Sequence, residues 1–269
     1  MGETGGRVVH FILHVPKCAG TTVESHFERH LGPGFLRAPR WESPLRNVIG
    51  NRYRLPPERL ARLRVASGHS LSRALAAHLP GAEIRESVLL RDPLGYFLSF
   101  YNYRWTWHDL GHGPRPPAFE TWYAGQRRNP ISRFLLNRYF GWGIPALYGL
   151  SSAGRLAWLE ARLARFHFVG GHERAGALVA GVSRELGLPE TVERRNVTER
   201  RRVRAEDLPD RLRRRIAAEN AVDAALHARW RDRGWAGAPA DARPPLPQAD
   251  HARYLAGDMA SGVVKKLIR

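Results

Sequence analysis

The sequence predicts an α/β fold in three layers, with a central parallel sheet flanked by helices. Three observations carry that expectation. Apolar segments at 7–15, 64–69, 87–92 and 165–171 alternate with segments of helical spacing. The stretches 16–22, 67–70 and 91–99, which hold the glycine, hydroxyl and basic residues of most interest, each follow one of those strands. Ligands of such sheets bind beyond the strands' carboxyl ends, so sequence order and chemistry agree.

The elements follow in order. "RVVHFILHV" is apolar almost throughout, as a strand buried on both faces should be. "AGTTVESHFERHLG" then places Val23, Phe27 and Leu31 on one helical face and ends at Gly32. "RVASGH" is a short second strand leading into "SLSRALAAHL", and "SVLLRD" is a third. Pro93 suits the first position of the helix that continues through "LGYFLSFYNYRW". Residues 106–155 are rich in Trp, Tyr, Gly and Pro, and read as loops and short helices over the active face, with the aromatic rings mostly as partial core. "RFHFVGG" is a fourth strand, followed by a helix over 173–186, and 205–230 reads as one long amphipathic helix opened by an acidic turn. One domain is expected over 1–235, with an Ala/Pro-rich C-terminal extension over 236–269.

Hydrophobic content of 43% and charged content of 25% in 269 residues fit a folded chain with a proper core. No stretch has the length of a membrane span, so a soluble, cytoplasmic protein is expected. The terminal "VVKKLIR" suits at most weak association with a membrane surface. Cys18 is the single cysteine, which excludes an internal disulfide and any multi-cysteine zinc site. The formal charge of +18 favours polyanionic partners without choosing among them. Nearly all of that charge is arginine; Lys17, Lys265 and Lys266 are the only lysines. A lysine beside a glycine turn in such a chain points to a compact point charge, not a planar fork.

"PKCAGTT" is a phosphate-binding loop in outline. The backbone N–H groups of a loop that opens a helix converge on an anion, and the helix dipole adds to the attraction. Its lysine precedes the glycine, the reverse of a nucleotide triphosphatase loop. In "LLRDPLGYFLSFYNY", Arg91 ends a strand and Ser99 stands two helical turns beyond it, an arrangement able to hold a phosphate monoester. In "ASGHSLSRAL", His69 follows a strand and is a candidate proton acceptor.

Together, "HVPKCAGTT" and "LLRDPLGYFLSFYNY" resemble the two cofactor motifs of sulfotransferases that use 3'-phosphoadenosine 5'-phosphosulfate. The resemblance is strongest to the carbohydrate group that includes heparan sulfate 2-O-sulfotransferases, and it extends over roughly 8–230 through "FVGGHERAGALVAGVSREL" and "NVTERRRVRAEDLP". It implies a P-loop-like fold and an enzyme that works without a metal. Lys17, Cys18, Ala19, Gly20, Thr21 and Thr22 would hold the 5'-phosphosulfate, with Lys17 serving the bridge between phosphate and sulfate. Arg91 and Ser99 would hold the 3'-phosphate, and Arg200, Arg201 and Arg202 would close over that phosphate and the adenine. His69 would be the base, acting on a hydroxyl of a glycan, glycolipid or other acceptor. Nucleic acid would not be a partner. Ser67 stands where the family often has a second histidine, which leaves His69 without that neighbour. Glu24 is the rival base, since other branches of the superfamily use a glutamate. The competing classes are a kinase using ATP and magnesium and a basic nucleic-acid-binding module; the sequence does not disclose the oligomeric state.

Overall fold

The computed structural model describes residues 7–38, 55–140, 150–191 and 201–235. The C-terminal extension over 236–269 and Arg200 lie outside them.

A six-stranded sheet runs through the molecule in the order β2-β3-β1-β4-β5-β6. Strands β1 (Val8–Leu13), β2 (Phe35–Arg37), β3 (Val65–Gly68), β4 (Glu83–Leu90) and β5 (Phe168–Gly171) are parallel, and β6 (Gly234–Trp235) closes one edge antiparallel to β5. The sheet is therefore mixed, not wholly parallel as the alternation of elements predicts. Strand β1 is central, and its run, apolar except for His10, is what a strand covered on both faces requires. Strands β2 and β6 have three and two residues, too few to show any periodicity.

Nine α-helices are described, and two layers of them cover the sheet. They are α1 (Gly20–Leu31), α2 (Pro57–Arg62), α3 (Pro93–Asp109), α4 (Phe119–Ala124), α5 (Pro130–Phe134), α6 (Ser152–Leu163), α7 (Ala175–Leu186), α8 (Asp210–Glu219) and α9 (Ala221–Trp230). Helix α1 buries Val23 and Phe27 and stops where Gly32 turns to φ 48. Pro93 opens α3, and the side chain of Asp92 caps it by accepting from the N–H of Gly95 at 2.6 Å. The segment "SLSRALAAHL" holds a 3-10 helix over Arg73–His78, not an α-helix. Helix α5 widens into a π-helical turn over Leu135–Tyr139.

The single helix expected over 205–230 is two. Asn220 breaks it, fully buried: its amide donates to Tyr123 Oη (3.0 Å) and to the Ile216 carbonyl, and its Oδ1 accepts from the N–H of Asn129. These bonds hold Asn220 at φ −119, ψ 38, outside helical geometry. Among the described residues no helix is long and apolar enough to cross a membrane.

The topology positions the site. From β1 the chain passes through α1 to β2 on one side, whereas from β4 it proceeds to β5 on the other. Loops leaving the neighbouring strands β1 and β4 thus diverge, and a crevice opens at their carboxyl ends.

Candidate active site

That crevice is a cleft of about 1570 Å³, more than a single small ligand needs and enough for two substrates together. Its walls are the ends of four adjacent strands. Strand β1 contributes His14 and Lys17, β3 contributes His69, β4 contributes Arg91, and β5 contributes His172.

The loop between β1 and α1 is shaped by two residues in the left-handed region, Lys17 at φ 65 and Ala19 at φ 64. Neither is glycine, so the turn is strained, and it is tied down from outside: Nη1 of Arg91 donates to the Lys17 carbonyl at 2.9 Å. No side chain caps α1, so its first N–H groups lack a side-chain partner, although that of Thr22 donates to the Ala19 carbonyl at 3.2 Å. Ala19, Gly20, Thr21 and Thr22 all line it. Gly20 is required by packing, since a Cβ there would collide with the His14 ring. Cys18 instead turns into the core, 2% exposed, where burial pushes its thiol well above the ordinary range.

Two cations flank the helix end. Burial, with Arg91 nearby, depresses Lys17 to about 8, and its Nζ stands 4.1 Å from the centre of the Tyr103 ring. Burial also lowers Arg91, whose Nε is buried without a hydrogen-bond partner. Neither side chain forms an ion pair with a carboxylate among the described residues. Unneutralised charge and an unsatisfied donor in a half-buried site favour an anion there. Ser99, on α3, lines the same cleft.

The basic segment after 200 divides. Arg201 lines the cleft and lies close enough to depress Arg91 further, and Arg204 joins it on the wall. Arg202 faces elsewhere: its Nη2 pairs with Asp109 at 3.2 Å and its guanidinium lies 5.2 Å from the Trp105 ring, while its N–H donates to Asn102.

His69 stands against His14. Nδ1 of His69 is 2.9 Å from the His14 carbonyl, and the two ring centroids are 3.9 Å apart. A carbonyl oxygen only accepts, so the His69 proton resides on Nδ1, and in the neutral ring Nε2 carries the lone pair. His14, 4% exposed, donates from Nδ1 to Oε1 of Glu24 at 2.7 Å; the same oxygen accepts from Ser67 Oγ at 3.1 Å, and Arg37 lies 3.8 Å from Oε2. Burial alone would raise the Glu24 carboxyl, yet His14, Arg37 and Ser67 together hold it below the ordinary range. At 2% exposure Glu24 does not line the cleft; it orients His14.

Sequence reasoning passed over His14, although it stands at the end of the first strand, immediately before the loop. It also treated Ser67 only as the loss of a histidine. Strand register supplies the neighbour instead: Leu13 pairs with Gly68, so the next residue on each strand is a histidine. Arg138, Arg204 and His172 were likewise not singled out, although Arg204 and His172 lie within the later segments that carry the resemblance.

The fold and site define an α/β protein with a deep cationic cleft at its topological switch point. No family model, no curated protein and no solved structure matches the chain.

Proposed function

We propose that the chain is a sulfotransferase that moves a sulfuryl group from 3'-phosphoadenosine 5'-phosphosulfate to a hydroxyl of a carbohydrate or glycolipid, on a three-layer P-loop-like fold. The observation that carries the proposal is one cleft holding both an uncapped helix N-terminus between two unneutralised cations and a histidine whose Nδ1 is held by a backbone carbonyl. The residues fit the donor. Lys17, Thr21, Thr22 and the amides of Ala19 and Gly20 would hold its 5' end, while Arg91, Ser99 and Arg201 would hold its 3'-phosphate.

When bound, the donor supplies an electrophilic sulfuryl group attached to a phosphate. Nε2 of His69 takes the proton of the acceptor hydroxyl. The Lys17 ammonium offsets negative charge at the phosphate end. Glu24 fixes the His14 ring, and His14 in turn fixes His69 through its carbonyl. Among the described residues, each of the cleft's four carboxylates already has a partner, Asp92 with Gly95, Asp109 with Arg202, Glu173 with His172 and Glu206 with Arg204, which favours a metal-free donor over magnesium and ATP. The single thiol is buried and needs no oxidising compartment, in keeping with a cytoplasmic location.

The test is calorimetry followed by a screen. Titrated 3'-phosphoadenosine 5'-phosphate should saturate the protein, and ADP with magnesium should bind at least about tenfold more weakly, since it lacks the 3'-phosphate. Labelled donor is then offered to glycan, glycolipid and small-molecule hydroxyl acceptors. Tighter binding of ADP, or no binding of the desulfonated carrier, would overturn the proposal.

A further inference from the structure

A second cluster of ligating groups lies away from the cleft. His10 is on β1, His167 immediately precedes β5, and Glu185 is near the end of α7. Ala175 and Gly176, at the start of α7, line the cleft, and Glu185 is some three turns further on, roughly 15 Å along the helix axis. The cluster therefore sits toward the amino ends of the strands, remote from His69 and Lys17.

The available ligand atoms of these three residues all lie within 4.8 Å of one another. Nε2 of His167 is 2.6 Å from Oε1 of Glu185, and Nε2 of His10 is 3.5 Å from Oε2. A tetrahedral zinc ion with bonds near 2.0–2.1 Å separates its ligands by roughly 3.3 Å, so small side-chain rotations suffice. A second, independent observation points the same way. His10 is fully buried, and neither ring nitrogen has a hydrogen-bond partner. Polar nitrogens are not left so in a close-packed interior without a reason. The carboxylate is also braced as ligating carboxylates are: Arg85 donates to Oε2 at 2.5 Å and is itself held by Glu83 at 2.8 Å. His167 and Glu185 are partly exposed, which provides an entry path and room for a water as a further ligand.

We propose that His10, His167 and Glu185 form a binding site for a divalent transition-metal ion of the zinc type, tying α7 to β1 and to the start of β5. The ion takes no part in the transfer chemistry, and its presence is independent of that proposal.

The experiment uses the full chain without an affinity tag, stripped by chelator and titrated with Zn2+ and, separately, Co2+. Wild type should bind one Zn2+ per chain at this site, melt at higher temperature with excess Zn2+, and give visible Co2+ absorption of low-coordinate nitrogen and oxygen ligation. His167→Gln and Glu185→Gln, both at partly exposed positions, should each weaken binding by more than about tenfold and abolish the Co2+ bands. His69→Ala should leave both unchanged. A wild-type protein that shows no such ion, or variants that bind it as tightly as wild type, would overturn the site; the wild-type Co2+ spectrum decides even if a variant fails to fold.

Discussion

His14 and His69 each occupy the first position beyond a paired residue, Leu13 on β1 and Gly68 on β3, and their rings meet with centroids 3.9 Å apart. Parallel register alone makes them neighbours, and the hydrogen bond from Nδ1 of His69 to the His14 carbonyl fixes which nitrogen faces the cleft. The two candidate bases thereby separate into different roles. His69→Ala should reduce sulfuryl transfer by roughly 10²- to 10⁴-fold while leaving affinity for the desulfonated carrier near wild type. Glu24→Gln should reduce turnover less, because it loosens His14 without removing the proton acceptor. Rates measured with the best acceptor from the screen check this. A larger loss from Glu24→Gln than from His69→Ala would return the base role to the glutamate.

Much of this site was legible in the sequence, and the rest was hidden for identifiable reasons. Lys17, Gly20, Arg91 and His69 stand beside strand ends, where local pattern and topology coincide, and the fold brings all four to one cleft. The inward turn of Cys18 depends on the left-handed backbone of Lys17 and Ala19, which no propensity predicts for those residue types. The partnership of His14 with Glu24 is a contact between a strand end and the helix after it, so it follows from tertiary packing and has no sequence period. Arg202 illustrates the limit of a charge run: three consecutive arginines look equivalent, but Asn102 anchors the backbone at 202 and 203, and residues 201 and 202 then point to different surroundings. The break at Asn220 was masked by apolar spacing that continues on both sides of it.

Arg91 should matter chiefly for affinity. Its guanidinium is already committed at one nitrogen to the Lys17 carbonyl, which leaves the remaining donors for an incoming phosphate. Charge-assisted hydrogen bonds contribute about 1.5 to 3 kcal/mol each, so Arg91→Ala should weaken binding of 3'-phosphoadenosine 5'-phosphate by roughly one to two orders of magnitude. The variant should also discriminate less between that compound and its analogue without the 3'-phosphate. Calorimetry with the two ligands measures both effects, and undiminished discrimination would remove Arg91 from the phosphate site.

Asp223 makes a structural prediction. It is buried beneath the start of α5, where its two oxygens accept from the N–H groups of Ile131 and Ser132, each at 2.8 Å. Burial outweighs those hydrogen bonds and raises the carboxyl from 3.8 to about 6. A folded-state pKa above the unfolded one means the group's contribution is complete below about pH 4 and is lost as pH rises through 6. Asp223→Asn presents an amide N–H to one of the two donors and should destabilise by about 1–3 kcal/mol. The deficit should be largest in acid and smallest above pH 6. Denaturant unfolding across pH 4 to 7 checks both statements, and a deficit that grows with pH would contradict the assigned shift.

Lys17 connects stability to function most directly. Burial and Arg91 bring it from 10.5 to about 8, so the folded chain binds protons less readily there than the unfolded chain does. For a cation with a depressed folded pKa, the full penalty applies below pH 8, and stability recovers as pH rises from about 8 toward 10.5. Lys17→Met should therefore stabilise the ligand-free protein at pH 7 by about 2 kcal/mol, allowing for the part of the side chain that water still reaches. The same substitution should abolish most sulfuryl transfer, because the charge facing the leaving phosphate is gone. A bound polyanion favours the ammonium, so wild-type affinity for the desulfonated carrier should fall as pH rises through 8, and Lys17→Met should lack that fall. Thermal unfolding at pH 7 and calorimetry from pH 7 to 9.5 measure the two halves separately. If Lys17→Met is no more stable than wild type and wild-type affinity is flat across that range, the lysine is not a buried cation awaiting an anion, and the assignment of the loop fails with it.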